Sequence, residues 1–130
     1  MQFGYTILYV SDVAASLAFF ENAFGLKRRF LHESGDYGEL DTDATALAFA
    51  AHPLGRMNLP DGYVAADASP LPLGMEIALV TDDVAHAHAQ ALRHGGVELQ
   101  APSLKPWGQT VSHLRCPDGL LLELCSPISA

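Results

Sequence analysis

The chain has 130 residues and a mass of 13.9 kDa, enough for one domain and too little for two ordinary ones. With 49% hydrophobic and 17% charged residues it can build a core, which excludes wholesale disorder. Seven Lys and Arg against fifteen Asp and Glu leave a formal net charge of -8. Such a balance repels nucleic-acid phosphates and anionic lipid, and if it selects anything it selects cations.

No run approaches the roughly 18 apolar residues that a membrane helix needs. Met1 to Ile7 carries neither a basic n-region nor a small-residue cleavage site, so no signal peptide is read and a cytoplasmic protein is expected. Cys116 and Cys125 then read as reduced thiols packed in strands.

In chain order, Tyr5 to Val10 is a β-branched and aromatic run that predicts a strand. Ser11-Asp12 can cap a helix whose apolar positions Val13, Leu17, Phe20 and Phe24 share one face, and Gly25 can end it. A strand over 26–31 and a hairpin of 37–41 with 45–51 follow. Pro53 to Pro72, with Gly55, Pro60, Gly62 and Pro70, has linker composition.

The pattern then repeats. Met75 to Val80 reads as a strand, Thr81-Asp82-Asp83 as a cap, and Val84, Ala87, Ala91 and Leu92 as the apolar side of a second helix closed by Gly95-Gly96. Asp12 to Gly25 and Asp83 to Gly96 both span thirteen positions. A strand begins at Val97, and the last hairpin turns at Pro117-Asp118-Gly119 between 110–116 and 120–125. Each half reads strand, helix, strand, strand, strand, and a half of ~60 residues cannot bury much alone. Residues 1–53 are the first module, 54–72 the linker and 73–130 the second module of a single α+β domain. A linker of that length permits the halves to pack within a chain or to be exchanged between two chains.

These residues carry a resemblance to the vicinal oxygen chelate superfamily, which holds glyoxalase I, bleomycin resistance proteins and extradiol dioxygenases. The matching features are Val10-Ser11-Asp12, Ser16 to Phe20 and Phe24-Gly25-Leu26 in the first half. In the second they are Val80 to Val84, Gly95-Gly96-Val97, Pro106 to Gln109, and Pro117-Asp118-Gly119 ahead of Leu122-Glu123-Leu124. The resemblance implies two βαβββ modules forming a curled mixed sheet, an open barrel around a central cavity. It also implies four ligand positions, on the first and last strand of each module. Counted from the capping and turn residues, these fall on Tyr5, Ala48, Glu76 and Glu123.

That set contains no imidazole, the donor that Zn, Fe and Ni sites generally want, so no metal cofactor is expected; if a divalent ion binds, Glu76 and Glu123 hold it. Glu76 interrupts the apolar run Leu73 to Val80, where an unpaired buried charge is costly, and Glu123 interrupts Leu120 to Leu124 in the same way. Ala46, Ala48 and Ala50 should leave room on the facing side. Tyr5, Tyr9 and Trp107 offer stacking surface and Gln109 a polar rim. His86 and His88 point to different sides of a helix, and His32 and His52 should be exposed. His94 can meet the helix end, and His113 enters the cavity only if strand parity allows. Ordinary packing is the favoured reading for all six.

The expected function is metal-free binding of a small aromatic or cationic ligand in the cavity by a homodimer, of the antibiotic-sequestration type. The ligand-contacting set is Tyr5, Tyr9, Ala48, Glu76, Trp107, Gln109 and Glu123. The alternative is an enzyme, a lyase, isomerase or dioxygenase similar to glyoxalase I, with Glu76 and Glu123 as candidate catalytic groups around a divalent ion. A regulatory module with a vestigial cavity is the third possibility.

Overall fold

The computed structural model describes residues 1–128. The first module runs β1 (Tyr5–Val10), α1 (Val13–Phe24), β2 (Lys27–Leu31), β3 (Tyr37–Asp41) and β4 (Ala46–Ala51). A short helix, α2 (His52–Asn58), follows. The second module is β5 (Glu76–Val80), α3 (Val84–Arg93), β6 (Val97–Leu104), β7 (Thr110–Arg115) and β8 (Leu121–Cys125). Both modules have the βαβββ order expected from the repeat. The predicted linker differs at its start: Pro53 sits in the first turn of α2, where its missing N–H costs no hydrogen bond. The sixth strand also runs on to Leu104 through two irregularities in register with β7.

The helix ends are built as their sequences suggest. Asp12 accepts the Ala15 N–H at 3.0 Å and Asp83 accepts the His86 N–H at 3.0 Å. Gly25 closes α1 at φ 69, donating to the Glu21 carbonyl at 3.0 Å.

Two mixed four-stranded sheets result, ordered β1-β4-β3-β2 and β5-β8-β7-β6, each with one parallel pair and two antiparallel pairs. Neither closes on itself, so each is a curled, open sheet. Each covers one face with its own helix, and α1 and α3 pack against each other. Leu17, Phe20, Leu40 and Phe49 from the first module and Leu114, Leu122 and Leu124 from the second join in one core, all under 2% exposed. Each such side chain is worth about 1.5–3 kcal/mol of apolar burial.

The other face of each sheet is open. On β1 it carries Tyr5, Ile7 and Tyr9, and on β5 Glu76, Ala78 and Val80, the alternation showing in the burial of each strand. Strands β1 and β5 each end a sheet with one edge unpaired among the described residues. No described helix is long and apolar enough to cross a membrane. Both cysteines are buried free thiols.

Candidate functional site

The three central residues lie on adjacent strands of the second sheet. Register pairs Ala78 with Glu123, and Glu123 with His113, so Glu76 on β5, Glu123 on β8 and His113 on β7 project from one face. His113 Nε2 stands 3.4 Å from Glu76 Oε2 and 3.2 Å from Glu123 Oε1. One ligating atom from each residue lies within 4.8 Å of the other two. Glu76 and Glu123 therefore meet as the sequence suggests, and strand parity brings in His113, so the face does present an imidazole. Glu76 is exposed rather than buried in the single chain, so the argument from a buried charge does not apply to it.

The donor set fits a divalent cation. Ligand atoms about 2.1 Å from a shared ion are about 3.0 Å apart at octahedral and about 3.4 Å apart at tetrahedral edges. Both His113 separations fall in that interval. Cys125 shares the face through its register with Val80 and Val111. Burial, then the Glu123 carboxylate, pushes its thiol up from the ordinary value.

The remaining predicted residues lie elsewhere. Tyr5, 58% exposed, and Tyr9 share the open face of the first sheet, and Tyr9 stacks on Tyr63 with ring centroids 4.9 Å apart. Ala46, Ala48 and Ala50 lie on that face but are buried, because a small residue on a central strand is shielded by larger neighbours. Ile7 and Glu39 are the register partners of Ala48. Trp107 is exposed ahead of β7, its indole N–H donating to Gln109 Oε1 at 2.7 Å; Gln109 in turn donates to the Ser126 carbonyl at 2.9 Å. That fixes the loop, and no hydrogen bond or ion pair joins either side chain to the acidic cluster among the described residues.

Sequence reasoning missed two groups. The first is Glu39, whose side chain is 9% exposed; it accepts the Tyr37 hydroxyl at 2.7 Å and has Arg29 Nη1 at 3.6 Å. Burial, reinforced by Glu39, raises the Tyr37 phenol well above its ordinary range. The second is a clasp on the linker. His52 is buried, contrary to expectation, because its Nε2 meets both Asp67 oxygens at 3.0 Å and its Nδ1 meets the Tyr63 hydroxyl at 2.7 Å. Ser11 donates to the same Asp67. Burial pushes the Asp67 carboxyl up, but the Ser11 and His52 bonds outweigh it and the net shift is downward. Asp67 also borders a cavity of about 210 Å³ between the start of α1 and the β7–β8 turn, away from both open faces. There Ser16 donates to Asp118 at 2.8 Å, and burial holds the Asp118 carboxyl above its usual value despite that bond. His88, on α3, is also buried, between Ser112 and Glu98.

Two sheets, each of one βαβββ module with an uncovered face, define the architecture of paired-module open-barrel proteins. Residues 2–124 match the Glyoxalase/Bleomycin resistance protein/Dioxygenase superfamily, and the chain belongs to that family. A glyoxalase/bleomycin resistance protein/dioxygenase family enzyme from Burkholderia phytofirmans PsJN superposes with a TM-score of 0.80 at 19% identity, over 97% of this chain and 98% of that one. A glyoxalase-related enzyme from Fulvimarina pelagi gives 0.82 at 20% identity, over 98% and 88%. A protein of unknown function from Agrobacterium tumefaciens C58 gives 0.77 at 22%, over 98% and 94%. At such identities the likeness is one of fold. No curated protein matches the sequence.

Proposed function

We propose that the open face of the second module holds a divalent cation on Glu76, His113 and Glu123, and that the protein acts there on a small oxygen-bearing molecule as a lyase, isomerase or dioxygenase. The observation that carries this reading is the placement of one imidazole nitrogen 3.2–3.4 Å from two carboxylates on neighbouring strands. Two carboxylates and an imidazole suit oxygen-preferring ions such as Mn²⁺ or Mg²⁺. A bound ion supplies Lewis-acid polarisation of a ligand oxygen. The residues themselves fix the donor geometry. Glu76, the more exposed carboxylate, is the better placed to take up a proton from the ligand.

The functional unit in this reading is a homodimer. Tyr5 and Ile7 on one open face and Met75 and Val80 beside the other are large, apolar and exposed, and both sheets offer an unpaired edge. A second copy that lays its first module over the second module of its partner covers both and encloses the acidic cluster.

A second reading keeps the same face and removes the metal: the carboxylate pair and the exposed Tyr5 ring take a cationic aromatic ligand, as a sequestering protein would. Calorimetric titration separates the two, with Mn²⁺ as one probe and ethidium, a planar aromatic cation, as the other. Stoichiometric Mn²⁺ binding that is lost in Glu123→Gln supports the first. Ethidium binding by chelator-treated protein, lost in the same variant while Mn²⁺ gives no heat, replaces it with the second.

A further inference from the structure

Both outer strands slip register at the same place, and the slip changes the face to which their side chains point. In the first module Arg28 pairs with Leu40 and the next pair is Phe30 with Glu39, so Arg29 and Phe30 together oppose one residue. In the second, Glu98 pairs with Leu114 and the next pair is Gln100 with His113, so Leu99 and Gln100 oppose one residue.

Side-chain contacts show the change of face. Before the slip, Arg28 donates to Glu21 of α1 at 2.7 Å and Glu98 meets His88 of α3 at 2.8 Å, so both point to the helix side. Within it, in the first module, Arg29 Nη1 stands 3.6 Å from Glu39 and the Phe30 ring centroid lies 5.9 Å from that of Tyr37, both on the open face. Strict alternation would return Gln100 to the side of Glu98. The extra residue sets it beside His113 instead, its register partner.

Its chemistry suits that neighbour. His113 turns Nε2 to Glu76 and Glu123, at 3.4 and 3.2 Å, which leaves Nδ1 as the other polar atom of the ring. With Nε2 given to a cation, the ring proton sits on Nδ1 and calls for an acceptor. Opposed residues on antiparallel strands have Cβ atoms about 5 Å apart, within the span of a Gln side chain. Gln100 is exposed on the outermost strand of its sheet, so it can turn to His113 without displacing packed groups.

We infer that Gln100 is the positioning residue of His113: its Oε1 accepts the Nδ1–H, fixing the tautomer and the ring plane with Nε2 directed at the carboxylate pair. This rests on the cation site proposed above.

Two readouts test it. Calorimetric titration with Mn²⁺ should show roughly tenfold weaker binding in Gln100→Met, which keeps the length of the side chain and removes the acceptor. Proton NMR of protein loaded with Zn²⁺, a diamagnetic probe, should show the His113 Nδ1–H resonance, assigned by its loss in His113→Gln. That proton should exchange slowly with water in the wild type and be lost to fast exchange in Gln100→Met. Gln100→Glu keeps an acceptor and should restore the resonance, an effect that a merely structural role would not produce. Wild-type Mn²⁺ affinity in Gln100→Met, a resonance retained in that variant, or no slowly exchanging resonance in the Zn²⁺-loaded wild type overturns the inference and leaves the three-ligand site standing. Failure of the wild-type protein to bind either ion removes both.

Discussion

Arg115 offers the sharpest test of how the second module is joined to the first. Its Nη2 donates to the carbonyls of Ala66 at 2.7 Å and Ser69 at 2.8 Å, and its Nε to Gly119 at 3.2 Å. A further contact, from Nη1 to Pro70, is at 3.4 Å. One guanidinium thus ties the segment between the modules to the β7–β8 hairpin. A hydrogen bond from a charged donor is worth about 1.5–3 kcal/mol, and the side chain is only partly buried, so the low end applies. Counting the two short bonds, Arg115→Met should cost about 3 kcal/mol while keeping the apolar stem. With a urea slope of about 1.5 kcal/mol per molar, the midpoint should fall by about 2 M at fixed protein concentration. Arg115→Lys should lose roughly half as much, since an ammonium cannot fork across two carbonyls. A loss below about 0.5 kcal/mol in Arg115→Met would refute the account of the strap.

Three further outcomes follow from the same contacts. Asp67 has a lowered folded-state pKa, so its stabilisation is complete above the ordinary carboxyl value near 4 and is lost as pH falls through the folded value. The stability gap between wild type and Asp67→Asn should shrink as pH falls from about 5 toward 3, as measured by denaturant melts; a gap that grows over that interval contradicts the assignment. Gly119 sits at φ 92, and a Cβ there would overlap the Ala66 carbonyl. Gly119→Ala should therefore destabilise by about 2–4 kcal/mol, read by thermal unfolding. Leu122→Ala, at a fully buried position of the shared core, should cost about 2–5 kcal/mol and leave Mn²⁺ affinity unchanged, because its side chain points to the helix side of β8.

The repeat was legible because both its halves use the same punctuation: an Asp cap, a glycine thirteen positions later, and a terminal hairpin. That was enough to place Glu76 and Glu123 on first and last strands. His113 was legible too, although counting only first and last strands passed it over. The turn Pro117-Asp118-Gly119 fixes the pairing of Cys116 with Leu120, and stepping outward in pairs sets His113 opposite Glu123. The same procedure applied to the first hairpin would have found Glu39 opposite Ala48, but that turn is less clearly marked and is rounded by Asp43 at φ 65. His52 illustrates what local pattern does not carry. Its burial depends on Asp67 and Tyr63, which come from a Pro- and Gly-rich segment whose path is set by tertiary contacts with Ser11 and Arg115.

The most direct test is to crystallise the protein with Mn²⁺ and locate the ion by its anomalous scattering. The account predicts one peak per chain about 2.2 Å from Glu76, His113 and Glu123. No peak at that cluster at saturating Mn²⁺, or a peak bound by other side chains, would contradict it.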